Sequence, residues 1–408
     1  MNMISDTFES KSRFVAYLLL ILNCLSPMAA IVIAPSLPQM QAEFSNIPNV
    51  EFLVPIALTI PGLMVALLSP VIGAFADKYG RKKMLVTATF VYSLIGILPL
   101  FLHSLYAIIA SRVVLGMAEA VIVTLSTTLI GDYYSGAVRQ RYLALQTTFA
   151  SSSAILFFMI GGVLGEFGWR VPYVVYAVPV VLGILGAFML WEPKQQQMSV
   201  DDDHEAQTVT FQPKLLFFIC VVTCIGALAF MILQIQMAFI LGSIGETSPK
   251  VAGNISSACS ALIVAGTLSV HVFSRLKFKV GHNLFIAFGL IGLSFLLMSH
   301  ATSSDQVLTY ALLNGFGCGL LLPTLAIWNM KNLPWFKRGM GTGMWYGSYC
   351  LGMFFSPILF VAATKSTGNL FNTLALAGWI LIPLALIALV LGFMKATRPQ
   401  TVATPDKA

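Results

Sequence analysis

Two ionisable residues stand inside one long apolar segment of the chain. Arg112 and Glu119 are the only Asp, Glu, Lys or Arg residues in the stretch 106–130. A charge at the centre of a membrane helix costs about 2.5–3.5 kcal/mol on insertion scales, so it is retained where it meets a partner, water or a ligand. A carboxyl group in such a place can bind and release a proton. Glu119 is therefore the first candidate for chemistry.

The spacing of the two charges decides how they can interact. They are seven residues apart, so they share one helix face and lie about 10.5 Å apart along the axis. This is too far for an ion pair on one helix, and each needs a separate partner. We predict that Glu119 carries the proton and that Arg112 binds an anionic group or tunes Glu119. The alternative is a structural charge network that holds this helix to its neighbours.

The composition indicates which elements must position these residues. Of the 408 residues 58% are hydrophobic and only 10% charged, and the mean hydropathy is +0.86. A soluble domain has about 25% charged residues, so a soluble enzyme is excluded and the lipid bilayer is the expected solvent. The net charge of +7 is scattered between apolar runs, which argues against nucleic acid as a partner. The cysteines lie in apolar runs without ligands at metal spacing, so we expect no metal and no cofactor.

The apolar runs predict an all-α membrane protein. Each is long enough for one membrane-spanning helix, and each is far longer than the ten-residue strands of a membrane barrel. The twelve predicted helices, numbered 1 to 12, cover 14–42, 52–76, 84–111, 106–130, 142–165, 171–191, 215–245, 251–274, 280–304, 306–330, 339–364 and 366–394.

The distribution of Lys and Arg predicts the orientation. With both termini in the cytoplasm, nearly all of the 23 basic residues fall on the cytoplasmic side. Only Arg170, Lys250 and Lys365 fall on the other side. Short cytoplasmic loops of membrane proteins are enriched in Lys and Arg. We predict a multi-pass protein of the cell membrane, which in a prokaryote is the inner membrane.

One long polar stretch divides the chain into two halves. It separates an N-terminal bundle, 1–192, from a C-terminal bundle, 214–408, and the segment 193–213 is predicted to be a cytoplasmic linker. The basic loop after predicted helix 2 has a weaker counterpart after predicted helix 8, which indicates an internal repeat. Two pseudo-symmetric six-helix bundles around a site at mid-membrane are a recurring transporter design.

Polar and aromatic residues at membrane depth predict a cavity between the bundles. Polar groups in hydrocarbon need partners or water, although hydrogen bonds between helices would also satisfy them. Predicted helices 6, 9 and 12 are almost wholly apolar and are expected to face lipid. The candidate substrate-binding residues are Asn23, Gln146, Phe149, Gln234, Gln236, Phe239, Asn314, Trp345, Tyr346 and Tyr349.

Several motifs resemble the major facilitator superfamily over nearly the whole chain. The segment 73–83, from Gly73 through Asp77 to Lys83, is similar to its signature loop between helices 2 and 3. Arg112 to Gly116 resembles its helix-4 motif, and the segment 34–38 resembles the end of helix 1 in twelve-helix drug:proton antiporters.

The resemblance implies a conformational latch and a proton-coupling role for Arg112. Asp77 would lie against the N-terminus of helix 11, where a carboxylate is favoured, and Arg81 would pair with Asp132. Together with Gly73 and Gly80 these residues would hold one side closed. Phe157 and Phe158 stand where antiporters carry Gly-Pro. The segment 116–120, around Glu119, resembles members that carry organic anions or lipids.

We therefore predict a secondary active transporter rather than an enzyme, with the major facilitator fold and alternating access. The favoured function is proton-coupled efflux of a small amphipathic molecule by a monomer. Proton-coupled uptake of an organic anion is the alternative. A membrane-embedded sensor or enzyme is a remote alternative from another class, because the five histidines form no catalytic group.

Overall fold

The computed structural model describes residues 2–193, 211–276, 278–334 and 337–393. Within these ranges twelve helices are long and apolar enough to cross a membrane. Helix 1 is broken into the segments Asn2–Asn23, Leu25–Ile31 and Leu37–Glu43. The other helices of the N-terminal half are helix 2 (Val50–Tyr79), helix 3 (Arg81–Ile97), helix 4 (Leu105–Tyr133), helix 5 (Gly136–Gly165) and helix 6, a 3₁₀ turn (Val171–Ala177) that continues as Val178–Met189.

The second half repeats this arrangement of six helices. It contains helix 7 (Pro213–Ser243), helix 8 (Pro249–Arg275), helix 9 (Val280–Met298), helix 10 (Ser304–Lys331), helix 11 (Arg338–Thr367) and helix 12 (Leu370–Phe393). Most of the predicted linker, 194–210, lies outside the described residues. The range 84–111 predicted for helix 3 was too long, because the helix ends at Ile97 and residues 105–111 begin helix 4.

Each half has its own apolar core. In the first half the buried cluster includes Leu19, Leu115 and Leu125, and in the second it includes Leu233 and Phe288. Helix 2 packs along helix 4 and helix 3 along helix 6; helix 8 packs along helix 10 and helix 9 along helix 12 in the same way. The predicted pair of pseudo-symmetric six-helix bundles is confirmed.

Two helix pairs make the most extensive contacts between the halves. Helix 5 packs on helix 8, and helix 2 packs on helix 11. In the internal repeat, helix 5 corresponds to helix 11 and helix 8 corresponds to helix 2. The two pairs are therefore equivalent by the internal symmetry. Glycines permit the closest approach: a Cβ on Gly162 would lie 2.8 Å from the Pro249 carbonyl oxygen and 2.9 Å from the Cα of Gly253.

Helix 1 breaks because of Pro27. Proline has no N–H, and its ring clashes with the carbonyl four residues earlier, here that of Asn23. The helix accordingly stops at Asn23 and restarts as Leu25–Ile31, which we call the middle segment. The last carbonyl groups of a helix lack partners within it, so the end of the middle segment offers acceptors to other helices at membrane depth.

Candidate functional site

Glu119 lies halfway along helix 4 and is almost fully buried, with 3% of its surface exposed. Its Oε1 accepts a hydrogen bond of 2.6 Å from the hydroxyl of Ser26, at the start of the middle segment of helix 1. Among the described residues its Oε2 has no hydrogen-bond partner. One oxygen of the carboxyl group is therefore fixed, and the other is available to a proton or a ligand.

Arg112 is held by oxygen atoms and aromatic rings. It is 1% exposed, and its Nη2 donates to the Ala29 carbonyl at 2.6 Å and to the Tyr176 hydroxyl at 2.7 Å. The guanidinium lies 5.6 Å from the ring centroid of Tyr173 and 5.1 Å from that of Tyr176. Ala29 belongs to the last turn of the middle segment, and the C-terminus of a helix favours a positive charge. Nε and Nη1 have no partner among the described residues.

The two helix-4 charges thus hold the two ends of the same short segment. Ser26 and Ala29 are one turn apart, and each binds a different charge. Arg112 and Glu119 do not form an ion pair with each other in the described part of the chain, as their spacing required, but they interact electrostatically at longer range.

The predicted cavity residues fall into two groups by exposure. Half-buried or exposed side chains are Asn23, Phe149, Gln234, Phe239, Tyr346 and Tyr349, and buried ones are Gln146, Gln236, Asn314 and Trp345. Tyr346 keeps 38% of its surface exposed although it lies in a membrane span.

Two of the buried amides make hydrogen bonds between helices. Gln146 Nε2 donates to the hydroxyl of Thr127 on helix 4 at 2.9 Å. Asn314 is fully buried, and its Nδ2 donates to the hydroxyl of Ser294 on helix 9 at 2.8 Å. Hydrogen bonding between helices, the alternative to a cavity, therefore accounts for both amides. Because Asn314 is fully buried in such a bond, we do not assign it to the substrate-binding surface.

Aromatic side chains of the second half come close to Glu119. The rings of Tyr346 and Tyr349 lie 6.2 Å apart on helix 11, and Tyr349 lies 6.4 Å from Phe230 on helix 7. Glu119 is within electrostatic range of Tyr346 and Cys350. The carboxyl group of one half is thus within electrostatic range of helix 11 in the other half.

Charged residues cluster at the loop between helices 2 and 3, at what we call the basic end of the molecule. The Arg81 Nη2 lies 2.7 Å from Asp77 Oδ1, and its Nη1 contacts Asp132 at the end of helix 4. Gly80 has φ 92°, which favours glycine, and it forms the turn between the helices. Gly73 lies one turn before Asp77 in helix 2. The contact described for Asp77 is within its own half rather than with helix 11.

At the opposite end, ionic and hydrogen-bond contacts cross between the halves. The Glu166 carboxylate, in the loop after helix 5, accepts from the Ser248 hydroxyl at 2.5 Å and from the Lys250 amide at 3.0 Å. These two donors belong to the first turn of helix 8 and its cap. The Lys365 Nζ lies 2.6 Å from Glu51 Oε1 and joins the end of helix 11 to the start of helix 2.

The contacts along helix 5 show where the halves separate. Toward its C-terminus Gly161, Gly162 and Gly165 are buried, and the Ile155 carbonyl accepts from Ser257 of helix 8 at 3.0 Å. Nearer the basic end Thr147 and Thr148 are exposed, as are Met340 and Met344 in the first two turns of helix 11. The halves therefore meet at one end, which we call the sealed end, and part toward the basic end.

The sequence of residues 19–357 matches the family model of the Major Facilitator Superfamily. The chain belongs to the major facilitator superfamily. It is similar to Multidrug resistance protein 2 of Bacillus subtilis (24% identical over 308 residues, 71% of this chain and 74% of that protein). It is also similar to the cis,cis-muconate transport protein of Acinetobacter baylyi (24% over 368 residues, 85% and 86%). The fold is that of a solved D-xylose-proton symporter, with TM-score 0.73, 13% identity, and coverage of 93% and 97%.

As a major facilitator, the protein is a multi-pass membrane transporter of small molecules. Its sequence pointed to Arg112 and Glu119 but not to the residues that hold them. Tyr176 comes from helix 6, which was expected to face lipid, and Ser26 is one serine among many. The available signal was Pro27, which breaks helix 1 and frees carbonyl groups beside a buried cation.

Proposed function

We propose that the protein is a proton-coupled exporter of small amphipathic organic molecules. The observation that carries the proposal is the Glu119 carboxyl group, buried at the middle of helix 4. One of its oxygens is bonded to Ser26, and the other has no partner in the part of the chain that the structure describes. A carboxyl group so placed is suited to bind a proton in one step of the cycle and release it in another. The similarity to a multidrug resistance protein supports the direction of transport.

The substrate would lie between Glu119 and the aromatic row of Tyr346, Tyr349 and Phe230. Aromatic faces with a few polar groups suit amphipathic ligands. We also assign Asn23, Gln234, Gln236, Phe149, Phe239 and Trp345 to this surface, with Gln146 behind it; the indole N–H of Trp345 has no partner among the described residues.

The described arrangement would be open toward the basic end, which we place in the cytoplasm by the enrichment of Lys and Arg there. Both termini and the linker 193–213, between the halves 1–192 and 214–408, would lie on this side. We propose that the protein works as a monomer in the cell membrane, since the proposed cavity lies within one chain.

We propose a latch role for Gly73, Asp77, Gly80, Arg81 and Asp132. In the alternate arrangement, closed at the basic end, Asp77 would move from Arg81 to the N-terminus of helix 11, where the helix dipole favours a carboxylate. Helix 2 already packs on helix 11, so the two elements that would form this contact are neighbours.

The substitution Glu119→Gln tests the proton-coupling role. In proteoliposomes with an imposed pH gradient, the variant should lose gradient-driven transport by at least about a hundredfold, because it keeps the shape of the side chain but cannot titrate. Asp305→Asn, which neutralises an exposed carboxylate in the first turn of helix 10, is the matched control and should behave as wild type. Normal pH-dependent transport by correctly folded Glu119→Gln would refute the proposal.

Uptake of an organic anion is a second candidate. The Nε and Nη1 groups of Arg112 lack partners among the described residues, and one relative is named for the transport of muconate. Inside-out and right-side-out vesicles loaded with the same substrate distinguish the two directions. Accumulation of an anion in right-side-out vesicles, abolished by Arg112→Gln, would favour uptake.

A further inference from the structure

We infer that Ser26 is a positioning residue: it fixes the Glu119 carboxyl group and passes the change in its protonation to the middle segment of helix 1. The inference rests on the proposed proton-coupling role of Glu119. Its structural basis is the 2.6 Å hydrogen bond from the Ser26 hydroxyl to Glu119 Oε1, which joins helix 1 to helix 4.

The hydrogen bond determines which oxygen receives the proton. Oε1 already accepts from Ser26, whereas Oε2 is free among the described residues. The proton therefore binds at Oε2. The acceptor of the Ser26 hydrogen bond then changes from an ionised carboxylate to a neutral carboxyl group. A hydrogen bond to the neutral acceptor is about half as strong.

The middle segment is built to move when this bond weakens. It is short, it follows the break at Cys24, and it is followed by the 3₁₀ turn Ala34–Ser36. Its far end is held by Arg112 through the Ala29 carbonyl, and an arginine keeps its charge at any working pH. At the near end the Leu25 carbonyl also accepts a hydrogen bond of 2.6 Å from the Tyr92 hydroxyl, so proton binding weakens one of two bonds there. The far end stays fixed, and the segment turns about Ala29.

The movement would act directly on the proposed binding surface. Asn23, just before the break, and Ser26 are both half-buried. A turn about Ala29 displaces the Ser26 end of the segment most, because that end lies furthest from the fixed point. Binding of a proton at Glu119 and the shape of the cavity wall are then linked through a single hydroxyl group.

Several other titratable groups lie near Glu119. Arg112 on its own helix, Tyr92 on helix 3, Tyr176 on helix 6, and Tyr346 and Cys350 on helix 11 are within electrostatic range of Glu119. Helix 2, which packs on helix 4 at Gly116, has no charged residue over 52–76. Each of these groups remains when Ser26 is substituted, so the test isolates the hydroxyl.

The experiment compares the pH profiles of transport of Ser26→Ala and Ser26→Thr in proteoliposomes. A donor to the ionised carboxylate favours that form, so Ser26→Ala should move the profile to higher pH by about one unit, the size of one bond to a charged group. Ser26→Thr retains the hydroxyl and should restore the wild-type profile. Ser126→Ala removes a buried hydroxyl of helix 4 whose described hydrogen bond is to the Val123 carbonyl of the same helix, and it should leave the profile unchanged.

A second measurement does not depend on transport. The infrared band of the protonated Glu119 carboxyl, assigned by its loss in Glu119→Gln, should persist to higher pH in purified Ser26→Ala. An unchanged titration of this band would overturn the Ser26 inference even if the variant transports poorly. If Glu119→Gln keeps the wild-type pH profile, the proposed function fails. If Glu119→Gln loses that profile but Ser26→Ala keeps it, as Ser126→Ala does, the proposed function stands and the Ser26 inference fails.

Discussion

The two ends of the molecule use charged residues in opposite ways. At the sealed end, Glu166 binds donors of helix 8 and Lys365 binds Glu51, so both contacts cross between the halves. At the basic end, Arg81 joins Asp77 and Asp132, and all three belong to the first half. Glu166 and Lys365 at the sealed end therefore hold the halves together, whereas the Arg81 cluster at the basic end holds one half in shape. The sealed end also has an ion pair within the first half, between Arg170 and Glu43.

In the proposed transport cycle, this difference identifies the contacts that must break. To open the sealed end the protein must separate Glu166 from helix 8 and Lys365 from Glu51. To close the basic end it must instead form new contacts between the halves. The cluster of Arg81, Asp77 and Asp132, which is already assembled within the first half, would supply them. Substitutions at the sealed end should therefore change which end is open, and substitutions at the basic end should change the rate of closure.

Two pairs of spin labels can report on the two ends separately. Phe167 and His300 are exposed on opposite halves at the sealed end, and Tyr79 and Leu276 are exposed on opposite halves at the basic end. Cysteine at these positions, in a chain without its six native cysteines, gives a sealed-end distance and a basic-end distance.

The largest effect is expected from Gly162→Val. The added atoms would meet the backbone of helix 8 at Pro249 and Gly253. Overpacking costs about 1–3 kcal/mol, which lowers the population of the sealed state by about fivefold to over a hundredfold. The sealed-end distance should increase and transport should fall.

The matched control is Gly131→Val, because a Cβ at Gly131 would have no neighbour within 4 Å. It should leave the sealed-end distance unchanged. Identical label distances in Gly162→Val and wild type would show that the helix 5–helix 8 contact does not form the seal.

A smaller effect is expected from Arg81→Ala at the basic end. It removes two partly exposed ion pairs, each worth about 0.2–1 kcal/mol, and turnover should fall by roughly two- to fivefold. The measurement is the initial rate together with both label distances. The sealed-end distance should not change, and an opened sealed end in this variant would contradict the separation of roles.

The pH dependence of the sealed end should depend on Glu166. The hydrogen bond from the Ser248 hydroxyl, then that from the Lys250 amide, lowers the pKa of Glu166 in the sealed state. The lowered pKa of Glu166 favours the sealed state at pH values above the usual glutamate pKa of about 4.3. This preference is lost as the pH falls through the lowered pKa. Acid on that side should therefore increase the sealed-end distance.

Glu166→Gln tests this prediction. The variant should remove the acid response and reduce the sealed population by about threefold at neutral pH, since a charge-assisted bond becomes a neutral one. A full acid response without Glu166 would assign it to another group.

The smallest effect is expected from Lys365→Gln. The ion pair with Glu51 is largely exposed, so its contribution is at the low end of the range for surface pairs, and the sealed population should change by about twofold. The exchange of charges in Glu51→Lys with Lys365→Glu should restore the wild-type distance. If Lys365→Gln alone changed the sealed-end distance as much as Gly162→Val does, packing would not stabilise the seal more than charge, which would contradict the proposed order of effects.

The fold could be predicted because the bilayer imposes a strong constraint on composition. Long uncharged runs predict helices, and the internal repeat predicts two bundles. The predicted end of helix 3 was wrong because one apolar run continues through the turn that follows it. Between Ile97 and Leu105 a 3₁₀ turn and a short loop separate helices 3 and 4.

The site could be predicted only where a residue type is unusual for its surroundings. Arg112 and Glu119 are conspicuous in hydrocarbon, but Ser26 and Tyr176 are ordinary residues whose role depends on three-dimensional contact. Asn314 is as polar as Asn23, yet it bonds Ser294 inside one half. In the proposed cycle the contact of Asp77 depends on which end is open, and sequence alone does not specify a conformational state.

In the proposed proton-coupled cycle, the surroundings of Arg112 would make transport sensitive to voltage. Its guanidinium is balanced by carbonyl and hydroxyl oxygens and by ring faces, without a carboxylate at ion-pair distance among the described residues. In the proposed cycle the middle of the membrane carries one net positive charge when Glu119 is protonated and none when it is ionised. One charge crossing the full membrane potential changes energy by about 2.3 kcal/mol per 100 mV. The electric field across the bilayer would thus bias the loaded and unloaded steps unequally.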